Sequence, residues 1–318
     1  MSLRFMKTRV LLFFLFGWLV AGSGALRAEA KAVGPVAVEL IAEYEQIVPG
    51  QTFYLALDFE LEAHWHIYWK NPGASGLPVE IEWDLPEGFV AGEIQWPSPE
   101  RIELAGLMNY GYEDAVTLIV PMQAPATLNP GESVAVQAEA FWLVCKEMCL
   151  PGDASLSLEL PVAAEATSSA KAPAFEVARA RLPESGAPWN IAAAIEDQVL
   201  VLTIEQGAAA QIPGDLYFYA AVAGIIDPSA AQSFSFVAEG EARLEAELDV
   251  AQLDDPAASL AGVLQSSSGN WAVEFGVGAE VQAIAQAPVG GSVPSAVGFE
   301  GKLLDLGLPG WLILAFLG

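Results

Sequence analysis

The sequence predicts an all-β protein: an antiparallel sandwich followed by a second β-rich region. Three observations carry that prediction. Short runs alternate apolar with polar residues, as at residues 52–59, where Phe53, Leu55, Leu57 and Phe59 share one face at period two. Proline and glycine, 21 and 29 of the 318 residues, punctuate those runs. A small-residue stretch, AAEATSSAKAPA, divides the β-like runs into two groups. The apolar share of 53% with 10% aromatics argues against intrinsic disorder.

The N-terminus reads as a signal peptide over residues 1–30. Arg4, Lys7 and Arg9 precede the apolar run VLLFFLFGWLVA, and small residues follow, with cleavage after Ala25 or Ala30. That run is short against the ~20 residues a membrane-spanning helix needs. Export would place the chain where disulfides persist. The first domain, residues 31–163, has strand-like runs at 36–41, 52–59, 66–69, 79–83, 115–120, 133–144 and 154–160, with a turn-rich NPGASG at 71–76. Residues 164–174 are the linker, and 175–286 the second β-rich domain. In that domain, runs at 191–195 and 199–204 flank Glu196-Asp197-Gln198 as a hairpin, and runs at 215–221, 233–237, 242–248 and 271–277 follow. Residues 287–300 form another linker, and 301–318 read as the start of a truncated transmembrane region.

Charge narrows the function. Thirteen Lys and Arg against 40 Asp and Glu give −27, opposite to the basic footprint of a duplex binder or of a patch that docks on anionic lipid. Two cysteines exclude a disulfide framework and a four-cysteine zinc site. No Gly-rich phosphate loop or Ser/His/Asp set stands out.

The cysteines are Cys145 and Cys149, followed by Leu150-Pro151-Gly152. On a continuous strand, residues four apart are separated by about 13 Å. A disulfide needs Cα atoms within about 7 Å. If the pair bridges, Lys146-Glu147-Met148 must therefore turn, with Pro151-Gly152 restarting the chain toward the next strand. A bridge closing so short a loop adds only about 2 kcal/mol of chain-entropy stabilisation. Spacing alone leaves two readings open: a small structural staple, or a redox-active pair.

Three segments carry a resemblance: Trp142-Leu143-Val144-Cys145-x3-Cys149-Leu150-Pro151, HWHIYWKNPG from His64, and Asn109-Tyr110-Gly111-Tyr112. Together they resemble the periplasmic N-terminal region of the DsbD/ScsB membrane thiol:disulfide interchange family, closest to its ScsB-like branch. The likeness is good over residues 36–162 and loose beyond, and the C-terminal GWLILAFLG is similar to the entry into that family's membrane domain. The DsbD branch spaces its cysteines further apart.

The resemblance implies an immunoglobulin-like redox sandwich acting as a protein-disulfide reductase without a cofactor, periplasmic and tethered to the inner membrane. It implies catalytic roles for Cys145 and Cys149, with Cys149 joining partners and Cys145 resolving. It implies a cap over the pair at residues 103–110, with Leu107, Met108 and Tyr110 as cap residues and His66 and Tyr68 as shielding aromatics. The implied partners are periplasmic thioredoxin-like or disulfide-isomerase-like proteins and the membrane electron-carrying domain of the full-length protein. Two alternatives stand beside this. His64 and His66, on one face if extended, with Met148 and the cysteines would make a soft copper site in a copper-tolerance module. A non-catalytic sandwich with a structural disulfide is the other. No metal ligand is assigned.

Overall fold

The computed structural model describes residues 30–207, 210–249 and 260–276. The expected signal peptide, the 287–300 linker and the terminal membrane segment lie outside the described residues.

The first domain runs through β1 (Lys31–Val33), β2 (Val36–Ala42), β3 (Thr52–Leu61), β4 (His66–Gly73), β5 (Glu80–Asp84), β6 (Val90–Ala91), β7 (Glu100–Leu104), β8 (Leu107–Glu113), β9 (Ala115–Gln123), β10 (Ser133–Cys145) and β11 (Cys149–Pro161). One sheet has the order β1-β2-β3-β9-β6, the other β11-β10-β4-β8-β7, with β5 also on β10. The period-two pattern decides the inner faces. Leu55, Leu57 and Phe59 of β3 meet Val136, Ala138 and Trp142 of β10 in one core. Phe59 and Trp142 touch edge to face across the sandwich, centroids 5.4 Å apart.

β10 and β11 form one long hairpin, paired from Ser133↔Pro161 to Cys145↔Cys149. Pro151-Gly152 does not restart the chain; both residues lie within β11. β11 is an edge strand, where a proline costs no ladder bond. Gly152 leaves room for the buried Trp142: a Cβ there would stand 2.5 Å from the indole.

A helix, α1 (Ala172–Ala180), begins in the last three residues of the expected linker and runs into the start of the expected second β-rich domain. Phe175 and Ala178, three apart and so on one face, pack on Ile41, Ala56 and Ile119 of the first sheet's outer side. Arg179 clamps Glu43 with two bonds of 2.5 and 2.7 Å.

The second domain comprises β12 (Glu184–Ser185), β13 (Asn190–Glu196), β14 (Val199–Glu205), β15 (Tyr217–Ala220), β16 (Ser233–Ala238), β17 (Glu241–Glu247), β18 (Leu260–Ser266) and β19 (Gly269–Phe275). Its sheets, β12-β19-β18-β15 and β13-β14-β17-β16, close on a core containing Leu202, Leu244, Phe218 and Leu264. The β13–β14 turn has Asp197 and Gln198 at φ 47° and 68°, the left-handed pair of a tight hairpin. Among the described residues the chain is all-β apart from α1, as the sequence predicts.

The two domains share apolar contacts. Tyr219 and Val263 are buried within the first domain's core. The Tyr219 ring lies 5.0 Å from Tyr110 and 6.4 Å from Trp69. The Tyr110 and Tyr217 hydroxyls are 3.1 Å apart.

Candidate functional site: a disulfide at a hairpin tip

The alternation of β10 places Trp142 and Val144 inward, so Cys145 belongs to the outer face of its sheet. Cys145 and Cys149 are cross-strand partners at the hairpin tip, joined as a disulfide with Cα atoms 4.1 Å apart. Lys146-Glu147-Met148 makes the turn, closed by the Lys146 amide donating to the Met148 carbonyl at 3.2 Å. The Lys146 ammonium donates to the Ala63 carbonyl at 3.4 Å, tying the tip to the loop before β4.

The two sulfurs are unequal. Cys145 is 0% exposed, whereas Cys149 is partly open to solvent. Beside Cys149 stand Met148, 65% exposed, and Leu150, 36% exposed. Large apolar side chains held in water next to a reachable sulfur suit contact with another protein surface.

Cys145 is covered from β4. His66 is its cross-strand partner, and Tyr68 follows two residues on, on the same face. Their rings meet edge to face at 5.2 Å, and the Tyr68 hydroxyl reaches 3.9 Å from Cys149 Sγ. Burial pushes the Tyr68 phenol up to about 12, with a bond to Ser75 opposing in part. Burial lowers the His66 pKa, which favours neutral imidazole, and its Nε2 finds no protein partner.

Over Tyr68 lies the end of the turn-rich NPGASG stretch, to which the sequence assigns no role at the pair. A Cβ on Gly76 would stand 2.3 Å from the Tyr68 ring, so only glycine lets this loop close onto it. The Ser75 amide and hydroxyl both donate to Asn109 Oδ1, at 3.0 and 2.9 Å. The NPGASG stretch was legible as a turn; what was missing was the register that lays it on Tyr68.

The structure does not bring the expected cap at Leu107, Met108 and Tyr110 to the disulfide. Glu113, at the far end of β8, opposes His66. Leu107 is six residues away along the strand, roughly 20 Å at about 3.3 Å per residue. Leu107 and Met108 flank the β7–β8 turn, and Tyr110 is buried against Tyr217 and Tyr219 of the second domain. The copper set is not assembled either. His64 has φ 68° in an exposed turn before β4, while His66 is buried in the strand, so the two do not share an extended face. Both sulfurs are engaged with each other. Among the described residues no group of three or more His, Cys, Asp or Glu converges.

A bridged pair with one open sulfur can undergo thiol–disulfide exchange: a thiolate attacks the accessible sulfur and the buried one leaves. The comparisons agree with this site. Residues 37–161, which include both cysteines, match the family model for thiol:disulfide interchange protein DsbD, N-terminal. The crystal structure of the N-terminal periplasmic domain of ScsB from Proteus mirabilis is similar in fold, with 17% identity, a TM-score of 0.55, and coverage of 77% of this chain and 94% of that one. The yeast GGA1_GAE domain-P21 structure, at 11% identity and a TM-score of 0.23 over 40% of this chain and 94% of that one, bears on nothing here. No curated protein matches the chain. The stretch 37–161, disulfide included, is thus similar to the N-terminal domain of DsbD-type thiol:disulfide interchange proteins.

Proposed function

We propose that the chain is the periplasmic part of a membrane protein-disulfide reductase and passes reducing equivalents to periplasmic thiol proteins through Cys145 and Cys149. The observation that carries this reading is the inequality of the sulfurs: one buried, the other open and flanked by exposed Met148 and Leu150. In the first half-cycle a donor thiolate attacks Cys149 Sγ, forming a mixed disulfide and expelling Cys145 as a thiolate. The donor's second thiol then attacks the donor sulfur of that bond and releases the Cys149 thiolate. Two electrons enter, the donor leaves as a disulfide, and two protons convert the thiolates to thiols. In the second half-cycle the Cys149 thiolate attacks a partner's disulfide, and Cys145 resolves the mixed disulfide. His66, neutral and cross-strand from Cys145, takes up the Cys145 proton as that thiol becomes the attacking thiolate.

The donor in this reading is the membrane electron-carrying domain of a longer chain, and the acceptors are thioredoxin-like or disulfide-isomerase-like periplasmic proteins. The N-terminal apolar run and the periplasmic placement of the similar ScsB domain support the compartment. Among the described residues no helix is long and apolar enough to cross a membrane. Trapping tests the roles. Cys145→Ala should accumulate mixed disulfides with partner thiol proteins through Cys149, and Cys149→Ala should form few. The reverse pattern would exchange the roles, and absence of mixed disulfides with either variant would reject the reading.

A further inference from the structure

Asn71, near the end of β4, is buried at the boundary between the two domains, 5% exposed. Its amide donates across that boundary to the Ala220 carbonyl at 2.8 Å and the Val222 carbonyl at 3.4 Å. Its Oδ1 accepts from the Gly73 amide at 3.0 Å. One side chain thus holds the end of β15 with its nitrogen and the start of the NPGASG loop with its oxygen. From Gly73 the fastening continues: the Ala74 amide donates to the Met108 carbonyl at 3.0 Å, Ser75 binds Asn109, and Gly76 rests on the Tyr68 ring. Tyr68 in turn reaches Cys149. The contacts are continuous from the second domain to the open sulfur.

We propose that Asn71 is a positioning residue that couples the second domain to the cover over the disulfide, so that β15 decides how far the loop over Tyr68 can lift. The physical reason is the cost of freeing the loop. Lifting it together with Asn71 while β15 stays in place breaks the hydrogen bonds that the Asn71 side-chain amide donates and leaves the Ala220 carbonyl without its Asn71 donor. Releasing or displacing β15 removes that restraint, and the loop then opens more readily. The second domain acts as a regulator of sulfur access as well as a neighbour. This inference rests on the exchange reading of Cys145 and Cys149, but its readout is chemical access to the bond and needs no protein partner.

The test is the rate at which a small phosphine reduces the disulfide in the full chain. Asn71→Asp keeps the oxygen that binds Gly73 and removes the amide donors; Asn71→Ala removes both. Gln265→Glu is the control: it keeps the oxygen that accepts from the Tyr219 hydroxyl of β15 at 2.9 Å and removes the amide that crosses the same boundary to the Pro99 carbonyl at 3.3 Å, away from the loop. Both Asn71 variants should raise the reduction rate by about fivefold or more, the low end of ordinary coupling between sites. They should also shift the fluorine resonance of fluorotyrosine at Tyr68, whereas Gln265→Glu should leave rate and resonance near wild type. Unchanged rates in the Asn71 variants, or an equal rise in Gln265→Glu, would overturn the coupling. If the variants fail to fold, hydrogen exchange on the unaltered protein decides. The Gly73, Ala74 and Ser75 amides should lose protection in the same step as the β15–β18 ladder; protection that outlasts that ladder overturns the proposal. Faster chemical reduction without any trapped protein partner would keep the coupling and reject the exchange reading. Trapping with unchanged chemical access would do the opposite.

Discussion

The two domains are built alike and used differently. Each is a pair of sheets closed on an apolar core. Yet the buried polar side chains among the described residues, Glu43, His66, Asn71, Ser98 and Asn109, all belong to the first. Three of them surround the disulfide or hold the loop over it. Burying a polar group costs free energy unless it is bonded, so such groups persist where they fix a position. The second domain has a plainer interior and contributes its backbone carbonyls and tyrosines to the boundary. The sandwich is a common support, and the first domain spends stability on geometry around sulfur.

The largest test of this contrast pairs two kinds of substitution. Cys149→Ala or Cys145→Ala should abolish thiol–disulfide exchange in a turnover assay while lowering stability by no more than about 2 kcal/mol, the value of so short a loop. Leu202→Ala, in the fully buried core of the second domain, should cost about 2–5 kcal/mol in a denaturant melt while leaving both cysteines intact. Gross unfolding of the cysteine variants would recast the bond as a staple.

A smaller effect separates the domains by pH. Both histidines of the chain lie in the first domain. Burial lowers the His66 pKa below its ordinary 6.5, so the unfolded chain takes up that proton first on acidification. His66 therefore contributes stability that is present above the ordinary histidine range and lost as pH falls through it. The contribution to the slope is at most about 1.4 kcal/mol per pH unit. His66→Phe should flatten the fall in stability between neutral and mildly acid pH relative to wild type. An unchanged difference between the two pH values would mean that His66 protonates freely in the fold.

The smallest expected effect is the most discriminating about the cover. Replacing Leu107 and Met108 with glycine should leave the alkylation rate of the reduced pair within about twofold of wild type, because the Met108 carbonyl that the Ala74 amide bonds is kept and the two side chains lost belong to the far end of β8 from His66. A large rise would mean that the β7–β8 turn reaches the sulfurs in solution.

Much of the fold was legible. The period-two run of β3, the hairpin around Asp197-Gln198 and the turn demanded by the cysteine spacing all reappear in the structure. The missed features depend on neighbours the sequence does not display. Pro151-Gly152 looks like a break until β11 is known to be an edge strand beside a tryptophan that requires a glycine. α1 hides in an alanine-rich stretch because its stability comes from Phe175 and Ala178 docking on a sheet, not from propensity. The expected cap at residues 103–110 and the loop that overlies Tyr68 look alike for a similar reason. Both the β7–β8 turn and the NPGASG loop contain glycine, and only strand register reveals which one overlies Tyr68. The histidine pair failed as a site because Ala63-His64 turns with His64 in the left-handed region.

The inequality of the two sulfurs has a kinetic consequence. With Cys145 buried beside its cross-strand partner His66, visitors to this pair share one doorway at Cys149. On the exchange reading, donor and acceptor cannot be served together; each must leave before the other enters. Transfer then follows an alternating, two-visit rhythm. An acceptor already reduced, or a donor already oxidised, becomes a competitor for the doorway, and throughput depends as much on how quickly visitors depart as on the speed of sulfur chemistry.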